Sequence, residues 1–360
     1  MFDAWVTVLK PVDWWWESSM EDKLPWFERV TCLDLSKTSM ALAGMAYFGR
    51  LLSTRLPKLV NLSLGYDGQL SMGAAKALGF MTHLTTLAIV DFQYLEVDYL
   101  GGHIEADGSE ISQAAVEELS KFTRLANLTL GGFNMSIKDV RVLSRMSGLT
   151  SLCLTSCFDV TNLVLKELAR MSALTHFSLG PCNNLSDSGM TVMRKFSGLK
   201  SLELSNGDKI TSAGLRHLAC LTRLTSIQLR NFDSCKSSDV LRTLATLTTL
   251  NTLKLLDCFG LVTVKAVAEL VSLPALTCIH LRDVLLTNQG LQVLSTLPSL
   301  AFLELKWLKV TKAGVEEFRL AAPNVDVKLI LGRNPDSPTD SDEDPDPDGY
   351  DSEDMNNLHW

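Results

Sequence analysis

Along most of the chain, apolar residues recur in one order, apolar-x-x-apolar-x-apolar. It appears as VTCLDL from Val30, then LVNLSL, LTTLAI, LANLTL, LTSLCL, LTHFSL, LKSLEL, LTSIQL, LNTLKL, LTCIHL and LAFLEL, eleven copies in all. From Leu125 onward the first positions fall at 125, 149, 174, 199, 224, 250, 276 and 300, a period of 24 to 26 residues. Self-similarity at such a period marks stacked structural repeats. Inside each copy the alternation predicts a short strand with every second side chain turned inward.

A second pattern follows at a nearly fixed distance: a Ser or Thr, then apolar residues four, seven and ten positions later. Thr211, Leu215, Leu218 and Leu221 show it, as do Ser186, Met190, Met193 and Phe196, Thr161, Leu165, Leu168 and Met171, and Thr287, Leu291, Leu294 and Leu297. These offsets place the apolar side chains on one helical face, with the hydroxyl positioned to cap the first free NH groups. Each unit therefore reads as strand, turn and helix. Alone it cannot bury both its strand leucines and its helix stripe, but stacked neighbours can, at about 1.5 to 3 kcal/mol per buried Leu. The expected fold is an α/β solenoid, a horseshoe with parallel strands on the concave side and helices on the convex side.

The unit beginning at Leu174, LTHFSLGPCNNLSDSGMTVMRKFSGLKSL, shows the full pattern, with Cys182 three residues after Leu179. It resembles the cysteine-containing class of leucine-rich repeats, best known from the substrate-receptor half of F-box proteins, and the resemblance covers roughly Val30 to Val327. What it implies is protein binding and, more narrowly, substrate recognition for a ubiquitin ligase through an adaptor. No F-box is recognisable, since three helices do not fit in the 29 residues before Val30. A structural scaffold in a cytoskeletal or ciliary assembly and a regulator of a partner enzyme stand as alternatives.

Cys157, Cys182 and Cys258 occupy a position where other units carry Phe92, Phe133, Phe232, Val284 or Leu308, with Gly207 and Asp67 as exceptions. A site that accepts Phe, Val, Leu and Cys is a packing site, so these read as core thiols, not metal ligands. There is no CxxC pair, and His176 and His280 lie four units apart and read as surface contacts. GxSxG, HExxH and phosphate-cradling Gly loops are missing from the sequence, and the chain reads as a binding protein with no enzyme activity and no cofactor.

Charge sharpens this picture. The chain has 33 Lys+Arg and 41 Asp+Glu, and ten of the acids lie between Asp336 and Asp354; without that stretch the balance is 33 to 31. A near-neutral body lacks the basic stripe of a nucleic-acid binder. No apolar run approaches the roughly 20 residues that span a bilayer, and the N-terminus does not read as a signal peptide. The cytoplasm or nucleus is the expected compartment, with cytoskeleton or cilium as the alternative.

Strand alternation exposes the concave face to direct reading. Its C-terminal half carries Glu203, Gln228, Arg230, Lys254, His280, Arg282, Phe302, Glu304 and Lys306, with Trp307 close by. Early units offer mainly small residues there, such as Ser63, Ala88 and Thr129. Arg and aromatic side chains are common interface anchors, so this half is the candidate protein-binding surface. A second candidate is the insertion at about 92–110, which stretches the interval from Leu84 to Leu125 to 41 residues and carries Tyr94 and Tyr99. Three segments result: a Trp-rich N-terminal cap (1–29), the solenoid (30–331) and an acidic tail (332–360) expected to be disordered. Ser337, Thr339, Ser341 and Ser352 in the tail are candidate phosphorylation sites.

Overall fold

The computed structural model describes residues 30–40, 53, 56–66, 72–91, 109–110, 113–157, 160–232, 234–235 and 239–330. The Trp-rich segment, most of the insertion with Tyr94 and Tyr99, and the acidic tail with its four candidate phosphorylation sites lie outside the described residues.

Twelve strands form one parallel sheet: β1 (Cys32–Met40), β2 (Asn61–Tyr66), β3 (Thr86–Asp91), β5 (Asn127–Gly131), β7 (Ser151–Thr155), β8 (His176–Gly180), β9 (Ser201–Ser205), β10 (Ser226–Arg230), β11 (Thr252–Leu256), β12 (Cys278–Arg282), β13 (Phe302–Lys306) and β14 (Asp326–Ile330). Each strand pairs with the preceding and the following one of this series, as a solenoid requires. A two-stranded sheet joins β4 (Ser109–Glu110) to β6 (Phe133–Asn134), so the end of the insertion, expected as loop, rejoins the repeats as a strand. β14 is a twelfth unit that the sequence pattern passes over. Its register with β13 puts Val327 and Leu329 opposite Leu303 and Leu305, but the position matching Leu300 is Asn324, so the first apolar residue of the motif is missing.

Helices fill the other side, including Ile137–Leu143, Asn162–Leu168, Asn288–Leu294 and Lys312–Ala321. A helix is about 10 Å wide, whereas strands pack about 4.8 Å apart. Repeats that present one of each must therefore bend toward the strand side. The two apolar patterns meet between these layers. Leu202, Leu204, Leu215, Leu218 and Leu221 are all buried, as are the equivalent residues of the neighbouring units, such as Ile227, Leu229, Leu253 and Leu255. Phe196 and Leu221, ten residues beyond Ser186 and Thr211, lie past the helix proper and close the core from the turn.

The frequent Thr after the first Leu of a unit has a definite job. The carbonyl of Lys200 accepts the NH groups of both Thr225 and Ser226, and the Thr225 hydroxyl adds a third bond at 3.0 Å. Thr150, Thr175 and Thr277 repeat the hydroxyl bond to the equivalent carbonyl of their preceding units. Where the chain enters each strand, adjacent repeats are tied by backbone and side chain together.

Helix caps form at Ser136, Thr211, Thr263, Thr287 and Thr311. Two expected caps fail: neither Thr161 nor Ser186 makes a capping bond. The Ser186 hydroxyl is instead engaged by the Asn162 amide at 2.9 Å and by Ser188. Asn162 belongs to a latch between repeats: its Oδ1 accepts the NH of Ser186, Asp187 does the same for Thr211 at 2.7 Å, and Asn288 for Thr311 at 3.0 Å. The latch needs room. Gly189, Gly214 and Gly314 sit against Asn162, Asp187 and Asn288, and a Cβ on any of them would overlap that side chain.

The latch predicts the behaviour of a mutant cycle. Gly214→Ala should destabilise by about 1 to 3 kcal/mol through overpacking. Asp187→Ala should cost about 1 kcal/mol in lost hydrogen bonds. The double variant, measured by denaturant unfolding, should lose less than the sum, because the colliding carboxylate is gone.

Candidate functional site

The polar face of the last six strands, β9 to β14, is organised in cross-strand rows set by the register. One row runs Glu203, Gln228, Lys254, His280, Glu304, Lys328; the next runs Ser205, Arg230, Leu256, Arg282, Lys306, Ile330. On β9 to β13 the alternating burial leaves these side chains partly accessible while the apolar residues between them are sealed, and on β14 Lys328 is exposed. Eight of the nine residues singled out from the sequence on this face lie in these two rows, and Phe302, the register partner of Cys278, lies in the row beside them.

They do not form an open basic patch. Arg230 Nε lies 3.4 Å from Asp257 Oδ2, and Arg282 forks onto the same carboxylate, with Nε 3.0 Å from Oδ1 and Nη2 on Oδ2. Asp257 is thus held between arginines from β10 and β12. Glu203 accepts hydrogen bonds from Gln228 and, at 3.1 Å, from the Ser178 hydroxyl. Glu304 receives Lys328 at 2.7 Å and stands 2.7 Å from His280 Nδ1. The Lys328 hydrogen bond first, and then His280, hold its carboxyl below the ordinary value of 4.5. Phe302 lies against His280, with ring centroids 5.3 Å apart. Both His280 ring nitrogens have partners on the same face, the second being the Cys278 thiol.

Lys254 and Lys306 have no carboxylate partner among the described residues. Lys306 Nζ lies 4.4 Å from the centroid of the Trp307 ring, and the Arg282 guanidinium 5.7 Å from it. A cation over an aromatic face is attracted by the ring quadrupole. Trp307 remains 39% exposed.

Two residues of this site were not found from the sequence. Asp257 is on the turn after β11, at a place where the backbone turns left-handed: Ser156, Asn206, Asn231, Asp257, Asp283 and Trp307 all have φ between 48° and 57°. The recurrence of Asn and Asp two residues past the last strand Leu was the available signal, because these types tolerate that conformation. Lys328 was hidden with its strand by Asn324.

The repeat cysteines behave as core. Cys157, Cys182 and Cys258 are fully buried and free. Each thiol donates to a strand-end carbonyl, for example Cys182 to Leu179 at 3.4 Å. Burial pushes the thiols of Cys157 and Cys182 up to about 12. The Gly207 exception is filled from the next unit, since the Phe232 ring occupies the space a Cβ would take. Among the described residues no group of His, Cys, Asp and Glu is arranged to hold a metal, and no helix is long and apolar enough to cross a membrane.

Asp257→Ala should cost about 1 to 3 kcal/mol, since it removes the carboxylate onto which the Arg282 guanidinium forks and puts Ala at positive φ. Asp257→Asn, which keeps the backbone preference, should cost less in the same unfolding measurement. Glu304 makes stability depend on pH. Its carboxyl is held lower in the folded than in the unfolded chain, so it contributes above the unfolded value and the contribution is lost as pH falls below about 4.3. Glu304→Gln should flatten that part of the stability profile.

No protein-family model matches the chain, and no curated protein matches its sequence. Solved structures do match in fold. An internalin of Listeria monocytogenes aligns at 21% identity and a TM-score of 0.51, covering 86% of this chain and 88% of that one. A chain from the crystal structure of the Rad7 and Elc1 complex in yeast aligns at 18% identity and a TM-score of 0.60, covering 83% and 74%. With the twelve-stranded parallel sheet and its helical backing, these likenesses show the fold: the chain is a leucine-rich-repeat α/β solenoid.

Proposed function

We propose that the chain is a protein-binding module whose contact surface is the polar face of β9 to β14, centred on Trp307. The observation that carries this is the conformation of Trp307 itself. It sits at φ 57° where the other repeats place Ser, Asn or Asp, although a positive φ is a genuine outlier for a bulky residue. Its NH keeps the repeat's bond to the next strand, at Ile330 O, while the side chain is partly exposed and lies against Lys306 and Arg282. A strained, exposed aromatic beside cations suits an interface, where Trp and Arg supply most of the binding energy. Glu203, Gln228, Arg230, Lys254, His280, Arg282, Phe302, Glu304 and Lys306 form the surrounding contact surface.

The Rad7 and Elc1 structure holds a protein of this fold class in a complex with another protein, which supports the same general role here. The resemblance of the repeats to the cysteine-containing class makes a ubiquitin-ligase adaptor the first partner to test, with substrate recognition as the role. Tyr94 and Tyr99 would extend the contact, and the segment 1–29 would cover the apolar end of the array at β1.

Trp307→Asn separates binding from folding. Asn suits the left-handed position, so the melting temperature should stay the same or rise. Proteins captured from native cells by the full-length chain should be lost from the variant by about tenfold or more, the equivalent of a hot-spot side chain. Unchanged capture of every partner would overturn the assignment of this surface.

A further inference from the structure

Cys278 and His280 are two positions apart on β12, so both project from the polar face, and Glu304 is the register partner of His280 on β13. The three are linked. Cys278 Sγ lies 3.1 Å from His280 Nε2, and His280 Nδ1 lies 2.7 Å from Glu304 Oε2. Lys328 holds the other carboxylate oxygen at 2.7 Å. With Nδ1–H donated to Glu304, Nε2 is an acceptor and the thiol is its donor. A nucleophile within hydrogen-bond reach of a base that is itself oriented by a third group is the arrangement that activates a weak nucleophile.

Other cysteines are placed differently, among them Cys153, whose thiol meets the Ser178 and Thr129 side chains. Cys157, Cys182, Cys235 and Cys258 are buried, with thiols that donate to backbone carbonyls. Cys220 is exposed, but its thiol faces the His217 carbonyl at 2.8 Å. Cys278 is partly accessible and has Lys254 on the neighbouring strand, next to its own partner Thr252 in the register. Partial burial raises the Cys278 thiol above its ordinary value, and the charge of Lys254 acts in the opposite sense. Glu304 opposes Lys254 in turn, so it is the contact of the partly accessible thiol with the His280 ring, a base in hydrogen-bond reach, that sets Cys278 apart.

We propose that Cys278 is a nucleophilic thiol, with His280 as its base and Glu304 as a positioning residue, and that it captures low-molecular-weight disulfides bearing carboxylates, which Lys254 attracts. As Sγ attacks a disulfide sulfur, His280 Nε2 takes the thiol proton. The S–S bond of the reagent breaks and a mixed disulfide forms on Cys278. The departing thiolate then recovers the proton from His280. One half of the reagent is reduced to a thiol while Cys278 is oxidised, so electrons balance without a further oxidant. The adduct occupies the polar face between Lys254 and Phe302. The chemistry of the thiol does not depend on which protein binds there.

The test uses the full-length protein, alkylated with iodoacetamide and read peptide by peptide by mass spectrometry, with Cys220 as the internal reference. Near pH 6.5, where an ordinary thiol is about 1% ionised, Cys278 should react at least about tenfold faster than Cys220. His280→Gln should remove that advantage and restore the steep pH profile of an ordinary thiol, and Glu304→Gln should move the profile in the same direction with Cys278 still accessible. Oxidised glutathione, used as the disulfide probe, should form an adduct on Cys278 that is absent from Cys278→Ser. A Cys278 rate no greater than that of Cys220, or one unaffected by His280→Gln, would overturn the activated thiol. Fast alkylation without a glutathione adduct would overturn the disulfide as substrate.

Discussion

The structure depends on the register between neighbouring repeats. Where each unit enters its strand, one carbonyl accepts two NH groups of the next unit and often a Thr hydroxyl as well, as Lys200 does for Thr225 and Ser226. That junction fixes which residues of adjacent strands stand opposite one another. Because side chains alternate along a strand, a slip of one residue would turn every core Leu outward and every polar side chain inward. The core and the functional face are therefore set by the same constraint, and neither can shift without the other. The rows that bring His280 to Glu304 and Arg282 to Lys306 are products of it.

On the helix side the same problem is solved by different means. Helices of about two turns have little intrinsic stability, and here their first turns are held by the preceding repeat through Asn162, Asp187 and Asn288. A side chain from one unit satisfies the helix start of the next, and the glycine opposite allows the approach. Stability in such an array is shared between repeats and their interfaces, so these polar contacts act together with the leucine core.

Much of this was legible in the sequence because a solenoid repeats its own argument. Eleven strands follow directly from the spacing of apolar residues in units such as LKSLEL and LTSIQL, and their polar positions from alternation. What escaped had physical reasons. Asn324 broke the motif and concealed β14 with Lys328. Asp257 lies on a turn, outside the strand alternation used to read the face, so its hold on Arg230 and Arg282 was invisible and the face looked more basic than it is. Ser186 had the right spacing to cap a helix but spends its hydroxyl on Asn162 and Ser188, a contact between side chains that no single unit encodes. The link from Cys278 through His280 to Glu304 required a register between strands 24 residues apart.

Asp257 also bears on the mechanics of the array. Its two arginines come from β10 and β12, the strands on either side of its own, so the carboxylate acts as a spacer that ties three consecutive repeats across the rim. Opening or tightening the horseshoe at this point would stretch or crowd the same two bonds. The face beside Trp307 is consequently stiff as well as polar, and a ligand meets a surface whose curvature is already set. It must fit that shape on arrival, which places the burden of adjustment on the partner.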